Sequence, residues 1–296
     1  MAAFDRYLIV DWSAANAPKK GKDSIWLAMA DRGGALLAPE NWATRAAAME
    51  RICALVRQCL ADGYRLLVGF DFAFGYPRGA AARLSGEQDW RAVWAMLAER
   101  VVDARDNRNN SFELAGALNR DSFAPLSAGP FWGHPHQHVG RYPGLGFKKN
   151  RQAFAEIHEF RHVEKQAKGA KSVWQLAYNG TVGRQAMLGI AALQRLRTLS
   201  DIRPYCAIWP FETRFAADFS KPILVAEIYP SLFAVDAGEA EVRDAAQVRT
   251  VASAFAGYDN RDDLERLLAR PATLTNDAVA EVLDEEGWIV GAGHAL

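Results

Sequence analysis

Arg6-Tyr7-Leu8-Ile9-Val10-Asp11-Trp12 is a short apolar run rich in strand-forming residues that closes on an acid. A second run of the same kind, RLLVGFDF at residues 65–72, also closes on an acid, Asp71, and is stopped by Gly75 and Pro77. Between them lie residues 24–30 (SIWLAMA), then Gly33-Gly34 and a third short strand expected at 35–37. A helix follows: Thr44 suits the N-cap, Met49, Ile52, Leu55, Val56 and Leu60 make one apolar face, and Gly63 ends it. Strand, helix, strand is a crossover, and a crossover makes its two strands parallel neighbours.

Beyond residue 77 the pattern changes. Residues 78–221 read as a mostly helical insertion, with helices expected over 90–102 and 154–168 and a turn-rich centre over 129–146. The sheet resumes with PILVAEIY at 222–229, broken by Pro230. Helices expected over 242–255, 262–268 and 277–285 and an apolar tail at 288–290 complete the chain. The fold class is α/β: a mixed sheet flanked by helices, with its core in 1–77 and 222–296 and the insertion between them.

Composition, 50% hydrophobic and 24% charged, is that of an ordinary globular chain and argues against disorder. No stretch has the roughly 20 uncharged apolar residues of a membrane helix, and Asp5, Arg6 and Asp11 interrupt the apolar start. We therefore expect no signal peptide, no anchor and no membrane partner. Cys53, Cys59 and Cys206 cannot all pair, which suits a reduced, cytoplasmic setting. The formal charge is zero but uneven: residues 130–221 carry 14 Lys or Arg against 6 Asp or Glu, and residues 222–296 carry 5 against 14. Such a division suits a phosphate-facing surface beside a metal-collecting one, as well as two solvated surfaces that neutralise each other.

Ligands of an open parallel sheet gather beyond the carboxyl ends of its strands. Asp11, Asp71 and Glu227 each fall at such an end, and Asp244 opens the next helix. A carboxylate at the edge of an apolar core is costly unless compensated, and Mg²⁺ or Mn²⁺ with oxygen ligands is the natural compensation. Taken singly, each acid could simply cap a turn or a helix start.

With these residues in view, the chain resembles a predicted-nuclease family of unknown function on the RNase H-like fold. The resemblance rests on Val10-Asp11-Trp12-Ser13, on residues 69–77 (GFDFAFGYP), on Ala226-Glu227-Ile228-Tyr229-Pro230 and on residues 285–291 (EEGWIVG). It implies three meandering strands, a crossover helix and two further parallel strands, with Asp11, Asp71, Glu227 and Asp244 as metal ligands and catalytic residues. Where the family usually has paired aspartates on the last of these elements, this chain has Arg243-Asp244-Ala245-Ala246-Gln247, with one acid. The expected activity is phosphodiester hydrolysis with two divalent ions about 4 Å apart. The expected partner is a nucleic acid or a small phosphorylated substrate, contacted by Ser13 and by the basic cluster Lys148, Lys149 and Arg151. Oligomeric state stays open.

Other readings compete. An actin-like phosphotransferase or ATPase also places acids at these strand ends, but Asp11-Trp12-Ser13-Ala14 lacks the glycine that lets backbone close on a phosphate. A non-catalytic binding module would use exposed tryptophans, drawn from Trp132, Trp174 and Trp209. His158-Glu159-Phe160-Arg161-His162 matches H-E-x-x-H, the zinc motif of two histidines one helical turn apart, though its charged surroundings suit a solvated helix. His134, His136 and His138 alternate in a Pro/Gly loop and suit a mobile turn better than a metal clip.

Overall fold

A computed structural model describes residues 3–124, 126, 129–178, 180–216, 219–235 and 241–296. The sheet starts as a meander: β1 (Arg6–Asp11) pairs antiparallel with β2 (Ile25–Asp31), which pairs antiparallel with β3 (Glu40–Trp42). The third strand thus lies later than the expected 35–37, where Leu36 makes only a single bridge to Ala30. Pro39 explains the shift, because it has no N–H to give the ladder and pairing resumes only after it.

The crossover helix α1 (Arg45–Ala61) begins where expected: the Thr44 hydroxyl accepts from the Ala47 N–H, and Gly63 takes a left-handed φ of 70° just past the end. Its apolar face delivers the chain to β4 (Leu66–Phe70), parallel to β1 with Val10 beside Phe70. Between β4 and the next long strand come α2 (Ala80–Ser85), α3 (Trp90–Arg100), α4 (Ser111–Asp121), α5 (Gly183–Arg197) and a short strand, β5 (Cys206–Ile208). Then β6 (Ile223–Glu227) pairs parallel with both β4 and β5, giving the order β3-β2-β1-β4-β6-β5. The molecule is α/β, a mixed six-stranded sheet flanked by helices.

One face of the sheet packs on α1, α3 and α5 through Leu8, Val10, Val68, Phe70 and Val225. The other, with Tyr7, Ile9, Leu67 and Ala226, packs on α6 (Arg243–Asn260), α7 (Leu264–Leu268) and the segment from α8 (Asn276–Glu281) to Val290. Residues 78–221 supply β5 to the sheet and helices α3 and α5 to the same core as α1. The helix expected over 154–168 does not form: only short 3-10 turns at Ala153–Ala155 and Val163–Lys165 are present. The reason is tertiary. Arg161, in the middle of that stretch, is drawn fully inside to neutralise buried acids, which a regular surface helix would not allow. No helix among the described residues is long and apolar enough to cross a membrane, and all three cysteines are unpaired.

Candidate active site

Strand alternation sorts the acids. Asp11 continues the Tyr7–Ile9 face and Asp71 the Leu67–Gly69 face, so both point toward α6 at the carboxyl ends of adjacent parallel strands. Glu227 instead continues Ile223 and Val225 on the opposite face. A one-residue difference in where each strand ends therefore turns Glu227 to the other face of the sheet, although all three acids line one cleft.

Asp11 and Asp71 lie in hydrogen-bonding contact, each only partly exposed on the floor of a cleft of about 670 Å³. Burial, and then the neighbouring Asp71, push the Asp11 carboxyl well above the ordinary range, so Asp11 keeps the proton that the pair shares. Burial also raises Asp71, to about 6, against the hydrogen bond it accepts from the Trp12 N–H at 2.7 Å. Two carboxyls this close repel one another when both are ionised, and either a proton or a cation can relieve that repulsion.

Asp244, in the first turn of α6, lines the same cleft and raises both aspartates through its charge. Its Oδ2 accepts from the Asp23 N–H at 2.6 Å, which pins the 17–24 loop over the cleft. Asp23 itself lines the cleft and pairs with Lys19 at 3.3 Å. Among the described residues no three His, Cys, Asp or Glu side chains form a metal-holding group. Two carboxylates suffice for Mg²⁺, which ordinarily binds through one or two of them and fills its remaining positions with water and substrate phosphate. The pair fits such an ion on that chemistry, with Asp244 within electrostatic reach.

Glu227 lines the same cleft, but its carboxylate is engaged by a buried cation. It is 2% exposed, its two oxygens accept from Arg161 at 2.6 and 2.8 Å, and the second also accepts from the Phe74 N–H at 2.9 Å. Arg161 pairs in addition with Glu164 at 2.9 Å and donates to the Glu286 carbonyl. Burial works against the Arg161 charge, but Glu227 and Glu164 outweigh it and hold its pKa above the ordinary value. Glu227 thus anchors the loop that leaves Asp71.

The EEGWIVG segment anchors the same loop from the other side. The Glu285 carboxylate accepts from the Gly79 and Ala81 N–H groups, and the Glu286 carboxylate from those of Arg78 and His162. Gly75 is required for this fit, since a Cβ there would lie 2.0 Å from the Glu285 carbonyl oxygen. The paired acids of that segment are therefore a clamp on residues 74–81.

Ser13 lines the cleft, with its hydroxyl donating to the Asp23 carbonyl. Lys148, Lys149 and Arg151 are not among the residues that line it; Lys149 pairs with Glu159 at 2.8 Å, and Lys148 and Arg151 are exposed. The basic cluster expected to contact substrate thus does not line this cleft. The zinc reading of His158 and His162 loses its geometry with the helix. His158 Nε2 accepts from Arg78, while His162 Nε2 lies 2.6 Å from Glu281. A His158→Ala, His162→Ala double variant is expected to purify with the same negligible zinc content as wild type and to lose less than about 1 kcal/mol of stability. Stoichiometric zinc in wild type that the variant lacks would revive the motif.

Sequence reasoning missed Arg161, Asp23, Arg184 and Gln185. The first sits inside the H-E-x-x-H match, where attention went to the histidines; a lone arginine in a charged stretch carries no sequence signal of burial. Gln185 donates through Nε2 to the Trp12 carbonyl at 2.5 Å, tying the start of α5 to the residue after Asp11. Compared with protein-family models, with curated proteins and with solved structures, the chain finds no match in any of the three.

Proposed function

We propose that this chain is a divalent-metal-dependent phosphodiester hydrolase of the RNase H-like type, with Mg²⁺ or Mn²⁺ held between Asp11 and Asp71. The observation that carries the reading is the proton-sharing carboxyl pair at the ends of two adjacent parallel strands, at the floor of an open cleft. Two further points support it. The meander, crossover and following parallel strands are the topology that the resemblance to the predicted-nuclease family implies, and four of the quoted motif segments converge on this one end of the sheet.

Asp71 is oriented by the Trp12 N–H, and Asp11 would have to be ionised to hold a cation beside it. Asp244 adds negative charge beside the pair and holds the Asp23 loop at the rim. An ion bound there supplies charge stabilisation at a phosphoryl oxygen and lowers the pKa of a water. Because Arg161 occupies Glu227, the reading is for an ion between Asp11 and Asp71, without Glu227 as a bridging ligand.

The test is binding. Mn²⁺ titrated into metal-free protein is expected to raise the melting temperature in a saturable way and to release protons, measured as a buffer-dependent heat by calorimetry. The Asp11→Asn variant should show neither. A wild-type melt that does not move with Mn²⁺ or Mg²⁺ removes the reading.

A further inference from the structure

Besides the acid pair, the cleft is lined by Lys171, Tyr178, Thr181 and Arg184. Arg184 is largely enclosed, its guanidinium 4.3 Å from the centre of the Phe112 ring. It donates to Ser111 Oγ at 2.7 Å, to Asn16 Oδ1 and, at 3.4 Å, to Asn109 Oδ1, all neutral acceptors. Among the described residues no carboxylate lies within ion-pair distance of it. Burial, followed by the nearby Arg45, lowers its pKa to about 10, against the more distant charges of Glu113 and Asp103, so this cation has no directly paired carboxylate. Lys171 is exposed and likewise has no ion-pair partner among the described residues. A cleft lined by an acid pair together with a guanidinium and an ammonium that no carboxylate pairs directly is a setting for a group that takes both: a phosphate, bridging a cation on one side and Arg or Lys on the other.

The same cleft presents an aromatic ring. Tyr178 is 48% exposed although it lines the cleft, and its backbone is left-handed, with φ of 83°. A tyrosine in that region costs of order 1 kcal/mol, so its neighbours hold it there. Its hydroxyl donates to the His134 carbonyl at 3.0 Å, and its ring meets Phe147 edge to face at 5.6 Å. An exposed ring fixed at the side of a polar cleft is a stacking surface for a flat partner. The cleft volume of about 670 Å³ falls in the range of small-ligand sites.

We propose that the cleft takes a nucleoside phosphate, free or at the end of a single strand, its phosphate between the Asp11–Asp71 ion and Arg184 and Lys171, and its base on Tyr178. The proposal rests on the metal reading above for the acid side, because without an ion the negative charge of Asp71 and Asp244 would repel a phosphate.

Isothermal titration with a nucleoside 5′-monophosphate, the matching nucleoside, inorganic phosphate, a short 5′-phosphorylated single strand and a blunt duplex tests it, each with and without Mn²⁺. The monophosphate should bind, and the duplex should bind at least about tenfold more weakly. Comparison of the free nucleotide with the single strand separates the two sources. Tyr178→Ala should weaken the nucleotide about tenfold, with inorganic phosphate unchanged and Tyr178→Phe behaving as wild type. Lys171→Ala should weaken nucleotide and phosphate alike. Both positions are exposed, so the variants should fold. Equal nucleotide affinity in Tyr178→Ala, or a duplex that binds as tightly as the monophosphate, overturns the proposal. Absence of nucleotide binding in protein whose melt responds to Mn²⁺ alone overturns it while sparing the metal reading. Nucleotide binding in protein that ignores Mn²⁺ overturns the ion-bridged arrangement together with that reading.

Discussion

Asp71→Asn is expected to lose essentially all Mg²⁺- or Mn²⁺-dependent phosphodiester hydrolysis, about a thousandfold or more in rate, and to keep its fold. The amide retains an oxygen to accept from the Trp12 N–H, so the strand end stays in place. What disappears is the charge that holds the ion, and several kcal/mol of barrier lowering go with it. The stability change has the opposite sign. The Asp71 carboxyl moves from an ordinary 3.8 to about 6 on folding, and Asp11 moves up further. Between about pH 4 and 6 the native protein therefore binds protons that the unfolded chain has already released, so metal-free wild type loses stability as pH rises through that window and remains lower above it. Asp71→Asn escapes most of this penalty. Above pH 6 it should be more stable than metal-free wild type by roughly 1–3 kcal/mol after solvent screening, with the gap closing toward pH 4. Assays on single-stranded, duplex, hybrid and branched nucleic acids, paired with melts over pH in EDTA, measure both effects. Equal activity in the two proteins would point to a contaminating nuclease or another site, and a pH-independent gap would mean the two acids are not coupled.

Arg161→Met should be the most destabilising single change, at about 3–5 kcal/mol. It leaves Glu227 and Glu164, both nearly inaccessible, without the guanidinium that neutralises them. Phe74 N–H would remain as a partner of Glu227 but cannot offset its charge. The double variant Arg161→Met, Glu227→Gln should recover part of the loss, since it removes a charge that the single variant strands. Denaturant melts of the single and double variants decide the matter. A loss below about 1 kcal/mol in the single variant would mean that water reaches these acids and the network is not closed.

Much of this architecture was legible in the sequence because its signals are local. The apolar runs ending in Asp11 and Asp71, the Thr44 cap and the Gly63 stop name β1, β4 and the crossover, and these bring the two aspartates together. Strand β5 and helices α4 and α5 escaped notice. Three residues make too short a run to stand out, and the small, mixed residues of α4 and α5 blur their periodicity. The site was half legible for a similar reason. That Glu227 ends its strand is visible; that it ends on the other face depends on register with Phe70, which only pairing sets. The H-E-x-x-H match misled because spacing along a helix means nothing until the helix exists.

The way the loop from Asp71 to Pro77 is held has a consequence in time. Its clamps, Arg161, Glu227, Glu285 and Glu286, all follow it in the chain, the last by more than two hundred residues. As the chain emerges from the ribosome, β1, α1 and β4 can assemble early, but the acid-bearing loop has nothing to close against until the segment preceding Trp288 is out. Contacts so distant in sequence form late. The cleft is therefore among the last features to be completed, and the chain passes through most of its synthesis as a scaffold whose reactive corner is still open.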